Sequence, residues 1–196
     1  MTNSAASSFP DHPPTEGVVD RIARGLRPAR RAALGLGSNL GDREDTLRRA
    51  VRTLLDAPEI WSYGVSPFYE TAPVGESDQP DYLNAVLVVD TTLSPRSLLE
   101  RAMAVEEVYG RDRARERRWG PRPLDIDVLA VGESTCDDGT LVLPHPRLRE
   151  RAFVLAPWSD VDPDFPVPGL GRVRDLLAAL GTSGVRRRAD LALVLP

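Results

Sequence analysis

Four apolar strands and two amphipathic helices follow one another along this chain in the order β-α-β-β-α-β, and that order leaves few architectures open. The first strand is Ala32-Ala33-Leu34-Gly35-Leu36-Gly37, ended by the turn Ser38-Asn39-Leu40-Gly41. A helix over 42–56 follows, capped by Asp42, with Leu47, Val51, Leu54 and Leu55 at i, i+4, i+7 and i+8 and Pro58 just past its end. Residues 60–70 are aromatic and β-prone, and 82–92 (YLNAVLVVDTT) form a denser, buried strand pattern. The Pro- and Gly-containing stretch 71–81 between them is long for a hairpin turn, which marks it as a candidate functional loop. Ser94 or Thr92 caps a second helix with Leu98, Leu99, Ala102, Val105 and Tyr109 inward, closed by Gly110, and 124–131 supply the fourth strand. This is the split βαβ signature of a ferredoxin-like α+β sandwich with an antiparallel sheet and flanking helices.

Beyond that core the pattern predicts a polar turn (132–139), a short apolar segment (141–143), Pro144-His145-Pro146 and a short helix over 147–151. Phe153-Val154-Leu155 reads as buried, and a last helix over 173–180 has Leu176, Leu177 and Leu180 to cover an open sheet face. Residues 1–31 are expected to be a tail, with Val18, Ile22 and Leu26 as one amphipathic turn pair, and 32–196 a single domain. No run approaches the ~18 apolar residues of a membrane span, and the start lacks an apolar signal region. Cys136 is the only cysteine, so neither an internal disulfide nor a multi-thiolate metal site is available, and a reduced cytoplasmic location is expected.

Charge narrows the chemistry. The formal net charge of -4 gives no global attraction to nucleic acid or an anionic membrane. All 25 basic residues are Arg, which bars Schiff bases and a P-loop lysine. In Arg118-Trp119-Gly120-Pro121-Arg122-Pro123-Leu124-Asp125-Ile126-Asp127, strand alternation points Asp125 and Asp127 to one face and Ile126 to the core. Two adjacent carboxylates repel, and a hard cation such as Mg²⁺ is the usual reason to tolerate that; a solvated strand face is the competing reading. Just upstream, Arg111, Arg113, Arg115, Arg117, Arg118 and Arg122 against Asp112 and Glu116 leave a local balance of +4 between Gly110 and Pro123. A cationic loop joined to a metal-carboxylate strand suits a polyphosphate, because guanidiniums grip its oxygens with forked donors. His145 and Arg151 are further candidates to reach a phosphate. Asn84, an amide inside an apolar strand, must find partners, for which backbone and a heteroaromatic ligand compete, and Tyr82, Trp119 and Phe153 are candidates to stack on a flat ring.

Taken in order, these motifs resemble the 6-hydroxymethyl-7,8-dihydropterin pyrophosphokinase family. The resemblance runs over about 32–180: Gly37-Ser38-Asn39-Leu40-Gly41, Phe68-Tyr69-Glu70-Thr71-Ala72-Pro73-Val74-Gly75, Asp78-Gln79-Pro80-Asp81-Tyr82-Leu83-Asn84, the Trp119 to Asp127 segment, and Pro144-His145-Pro146 through Phe153. It implies transfer of pyrophosphate from MgATP to 6-hydroxymethyl-7,8-dihydropterin, giving AMP and the pterin diphosphate for folate biosynthesis. Asp125 and Asp127 would hold two Mg²⁺ ions, with Arg111 and Arg122 as catalytic arginines. Glu106, Arg113, Arg118, Ile126, His145 and Arg151 fall at ATP-side positions, and Thr71, Val74, Tyr82, Asn84, Trp119 and Phe153 at pterin-side positions. Met103 departs from the family's frequent Gln, and an Arg loop longer by one residue leaves Arg113 and Arg115 as alternatives. The partners expected are those two small molecules, acting on a monomer without nucleic acid or membrane. A two-metal nucleotidyl transferase, which releases pyrophosphate, and a nucleic-acid-binding module using the Arg run are the rival readings.

Overall fold

The computed structural model describes residues 28–73, 78–115, 117 and 120–193. The chain forms β1 (Arg30–Ser38), α1 (Arg43–Leu55), β2 (Ile60–Val65), β3 (Tyr69–Thr71), β4 (Tyr82–Thr91), α2 (Pro95–Val108) and β5 (Asp125–Val131). These carry the expected β-α-β-β-α-β order, with its second strand divided in two. One antiparallel sheet runs β10 (Val185–Arg187), β3, β4, β1, β5, with β2 pairing the far end of β4. The Asp42 side chain accepts the Asp45 N–H at 3.0 Å to start α1, and Ser94 does the same for Ser97 at 3.1 Å, just before Pro95 opens α2.

The expected single strand over 60–70 breaks at Ser66-Pro67-Phe68. Pro67 has no N–H to continue the ladder, and Ser66 instead ties the bend to β4, its Oγ accepting the Val86 N–H at 2.9 Å. The first strand also differs from expectation: β1 begins at Arg30, two residues before the start read from the sequence. Arg31 is kept there by Asp90 and Asp162, each at 3.3 Å, and by stacking 3.5 Å over the Tyr63 ring. The helix proposed around Val18, Ile22 and Leu26 lies outside the described residues.

The sheet has two buried faces. One packs Leu34, Leu36, Leu83, Leu87, Ile126 and Val128 under α1 and α2. The other packs Ala33, Val86, Val88 and Leu129 under α3 (Ala152–Val161) and α4 (Val173–Leu180), with Trp158 edge-on to Phe165 at 4.9 Å between ring centroids. The last helix forms over the expected residues but packs chiefly on α3, with Leu176 buried and Leu180 39% exposed, and Phe153-Val154-Leu155 proves to be the start of α3. The helix expected over 147–151 is a single 3₁₀ turn, Leu148–Glu150. Two short hairpins complete the chain, β6 (Cys136–Asp137) with β7 (Val142–Leu143) and β8 (Pro166–Val167) with β9 (Gly171–Arg172). β10 (Val185–Arg187) adds an edge to β3 that has no apolar alternation to announce it. It is held by charge: Glu70 on β3 accepts from Arg186, from Arg188 at 3.2 Å and from Arg43 at 3.0 Å.

Candidate active site

The second face of the sheet is covered at one end only. Past the edge of α3 and α4, β1 presents Gly35 and Gly37, β4 presents Tyr82 and Asn84, and β5 presents Asp125 and Asp127. In register, Gly37 lies between Asn84 and Asp125, and Gly35 beside Asp127. The glycines make the floor: a Cβ on Gly37 would stand 3.3 Å from Asn84 Oδ1, and one on Gly35 3.4 Å from the Leu129 side chain. Above them is an open cleft of about 130 Å³, walled by Thr71, Tyr82, Phe153, Arg122 and Arg151.

One end of the cleft is charged. Asp125 takes Arg111 Nη1 at 2.5 Å and Arg122 Nη1 at 3.3 Å, while Asp127 pairs with Arg151 and lies 3.8 Å from His145 Nε2. Burial opposes ionisation of Asp125, but the Arg111 and Arg122 guanidiniums outweigh it and hold its carboxyl below the usual carboxylate range. His145 is pushed down by burial, with Arg151 and Arg147 opposing its charge against the pull of Asp127, so the imidazole is neutral near pH 7. Its Nδ1 accepts the Arg147 N–H at 3.2 Å, which leaves the proton on Nε2, the atom nearer Asp127.

The other end is neutral. Asn84 is 5% exposed, and its Nδ2 donates to Thr71 Oγ1 at 3.0 Å and to the Tyr69 carbonyl at 3.4 Å. Its Oδ1 lies on the opposite side, over the floor at Gly37. Tyr82 and Phe153 also line the cleft; the Tyr82 hydroxyl reaches the Gly120 carbonyl at 3.4 Å near Arg122, and burial raises it so that it stays protonated.

The structure therefore brings Thr71, Tyr82, Asn84, Arg122, Asp125, Asp127, Arg151 and Phe153 around one cleft, with His145 adjoining. Arg111, Glu106 and Arg113 line a neighbouring cleft that also exposes Met103. Glu106 is 1% exposed, and its carboxylate is occupied: it takes the Arg111 and Arg113 guanidiniums and accepts the Ile126 N–H at 2.7 Å. Burial raises its pKa against the pull of those donors. Ile126, expected on the ATP side, gives the cleft no side chain: alternation turns it into the opposite core, and only its N–H is used. Val74, Arg118 and Trp119 lie outside the described residues. Sequence reasoning assigned no role to Gly35 and Gly37, although glycines at alternate positions of one strand signal a cleared face.

A family model described as 7,8-dihydro-6-hydroxymethylpterin-pyrophosphokinase (HPPK) matches residues 33–163. The chain is 48% identical over 157 residues to a 2-amino-4-hydroxy-6-hydroxymethyldihydropteridine pyrophosphokinase of Methylorubrum extorquens, covering 80% of this chain and 98% of that protein. It is 40% identical to the protein of the same name in Pseudomonas aeruginosa, covering 80% and 96%. Among solved structures, an HPPK-DHPS in complex with substrates superposes with TM-score 0.63 at 13% identity, over 82% of this chain and 46% of that one. A Plasmodium falciparum HPPK-DHPS with pterin and p-hydroxybenzoate gives 0.62 at 16% identity, over 86% and 49%. The chain thus spans about half the length of those structures, and at that identity they bear on the fold alone. Neither the nucleotidyl-transferase nor the nucleic-acid-binding alternative has support among these likenesses. With the sequence match running through both ends of the cleft, from Ala33 to Pro163, the chain belongs to the 7,8-dihydro-6-hydroxymethylpterin-pyrophosphokinase family.

Proposed function

We propose that this protein transfers the pyrophosphoryl group of ATP to the hydroxymethyl oxygen of 6-hydroxymethyl-7,8-dihydropterin, a step of folate biosynthesis. The hydroxyl oxygen bonds to the β-phosphorus, the bond from that phosphorus to the α,β-bridging oxygen breaks, AMP leaves and the hydroxyl proton is released. The observation that carries this reading is one cleft that brings together a buried amide, two aromatic rings and a carboxylate pair ringed by guanidiniums.

At the neutral end, Asn84 and Thr71 face the polar edge of the pterin while Tyr82 and Phe153 flank its ring, and Val74 and Trp119 join them by resemblance. At the charged end, Arg111, Arg122 and Arg151 are poised to leave a carboxylate for a phosphate oxygen, an exchange between like partners. Arg113, Arg118 and neutral His145, a donor through Nε2, extend the ATP contacts. Glu106 acts from beneath, aiming Arg111 and the strand between the two aspartates.

Asp125 and Asp127 fit Mg²⁺: both donors are oxygen, they share one strand face, and the β1 positions beside them carry no side chain. We propose that these aspartates would hold two such ions, which would supply Lewis-acid neutralisation of the phosphate charge. No helix among the described residues is long and apolar enough to cross a membrane, and Cys136 is a free thiol. We place the reaction in the cytoplasm, on a monomer without nucleic acid. Incubation with ATP, Mg²⁺ and the hydroxymethyl-dihydropterin, followed by chromatography of the nucleotides, tests the proposal. Pterin-dependent AMP supports it, and ADP or free pyrophosphate as the product overturns it.

A further inference from the structure

The turn Ser38-Asn39-Leu40-Gly41 contributes no wall to the cleft, yet it holds both segments that do. Asn39 is 1% exposed at the end of β1. Its Oδ1 accepts the Arg122 N–H at 2.8 Å, and its own N–H donates to the Arg122 carbonyl at 3.2 Å. Its Nδ2 turns the other way, donating to Gln79 Oε1 at 2.9 Å and to the Pro80 carbonyl at 3.2 Å. Two residues beyond Pro80 the chain enters β4 with Tyr82, and three beyond Arg122 it reaches Asp125. Arg43, on the first turn of α1, reinforces the same grip by donating to the Asp81 carbonyl at 2.6 Å while pairing with Glu70.

We propose that Asn39 is a positioning residue that couples the two ends of the cleft, tying the loop that leads into Tyr82 to the segment that carries Arg122. The inference rests on the pyrophosphokinase reading. A buried amide with both ends engaged is costly to leave half-satisfied. If the 78–81 segment moves away, Nδ2 loses two acceptors; if Arg122 withdraws, Oδ1 loses its donor. Each arrangement therefore favours the other, and a ligand that fixes one end raises the affinity of the second ligand at the other, by the same factor in both directions. Asn39 fixes the Arg122 backbone through both its N–H and its carbonyl, while the guanidinium reaches Asp125 at 3.3 Å and the Gly120 carbonyl at 3.4 Å and can shift from them to a phosphate.

Calorimetric titration of the hydroxymethyl-dihydropterin into the full chain, with and without Mg²⁺ and α,β-methylene-ATP, measures this coupling, since that analogue cannot release AMP. The wild-type protein is expected to bind the pterin more tightly with the nucleotide by about 5- to 150-fold. Asn39→Asp keeps the acceptor for Arg122 and removes both donors, and Gln79→Ala removes one of the two acceptors on the loop side. Both should lower the coupling factor toward one while the pterin still binds, and thermal melting confirms that each variant is folded. Asn39→Ala is expected to lose the coupling too; should it fail to fold, the other two variants decide. A purely structural role would lower stability and leave the coupling factor intact, so wild-type coupling in Asn39→Asp and Gln79→Ala overturns the inference, as does a wild-type factor of one. A wild-type protein that does not bind the pterin in either condition overturns the functional reading itself.

Discussion

The same three strands, β1, β4 and β5, build both ends of the sheet's second face, and the two ends do opposite things. Toward one end their outward residues are Ala33, Val86, Val88 and Leu129, sealed under Trp158 and Phe165. A few residues along, the same strands offer Gly35, Gly37, Asn84, Asp125 and Asp127, and nothing seals them. The first end converts burial into stability; the second forgoes it, leaving a glycine floor, paired carboxylates and a buried amide. We place the function where the sheet stops obeying the pattern of a core.

The comparison breaks most sharply at the carboxylates. Asp127→Ala should lower AMP formation by at least a hundredfold, on the order of losses seen when one transition-state contact is removed, with the melting temperature little changed; steady-state turnover and a thermal melt check both. Phe165→Ala at the sealed end should do the reverse, costing about 3–5 kcal/mol in denaturant unfolding while turnover per folded molecule stays at the wild-type value. If Phe165→Ala abolished turnover in folded protein, the two ends would not be separable.

Smaller changes sharpen the contrast within the open end. Asn84→Ala should weaken pterin binding by about 1–3 kcal/mol and ATP binding hardly at all, which titration of each ligand alone resolves. Gly37→Ala adds a Cβ that meets Asn84 Oδ1 at 3.3 Å, and the pterin KM should rise about tenfold without loss of stability. The mildest effect is expected away from the cleft. Burial and the 2.7 Å hydrogen bond to Asp160 push the Tyr69 hydroxyl up to about 12. Because the unfolded chain ionises near pH 10 and the folded chain does not, stability should fall as pH rises from 10 to 12, and Tyr69→Phe should lack that fall in melts across the range.

Much of this was legible in the sequence, for a physical reason. Period-3.6 and period-2 patterns report burial directly, so α1, α2, α4 and the strands around Leu34, Val86 and Val128 stood where they were expected, and alternation placed Asp125 and Asp127 on one face. The rest depended on partners far along the chain. β10 pairs through Arg186 and Arg188 to Glu70, more than a hundred residues away, and leaves no apolar trace. Arg30 and Arg31 read as a polar tail because the Asp90, Asp162 and Tyr63 that make room for Arg31 are invisible locally. Asn84 drew attention as a polar residue in an apolar strand, whereas Asn39, in a turn where asparagine is ordinary, carried no such signal. Glu106 matched a ligand-side position, but its burial beneath Arg111 appears only in three dimensions.

The central claim is that the charged end of the cleft moves two phosphorus atoms together onto the ligand at the neutral end. Following ATP labelled at its β-phosphorus through one round of reaction tests it most directly. The account predicts that the label appears in the pterin product, bonded to the former hydroxymethyl oxygen, with unlabelled AMP released; label remaining with the nucleotide, as ADP, would contradict it.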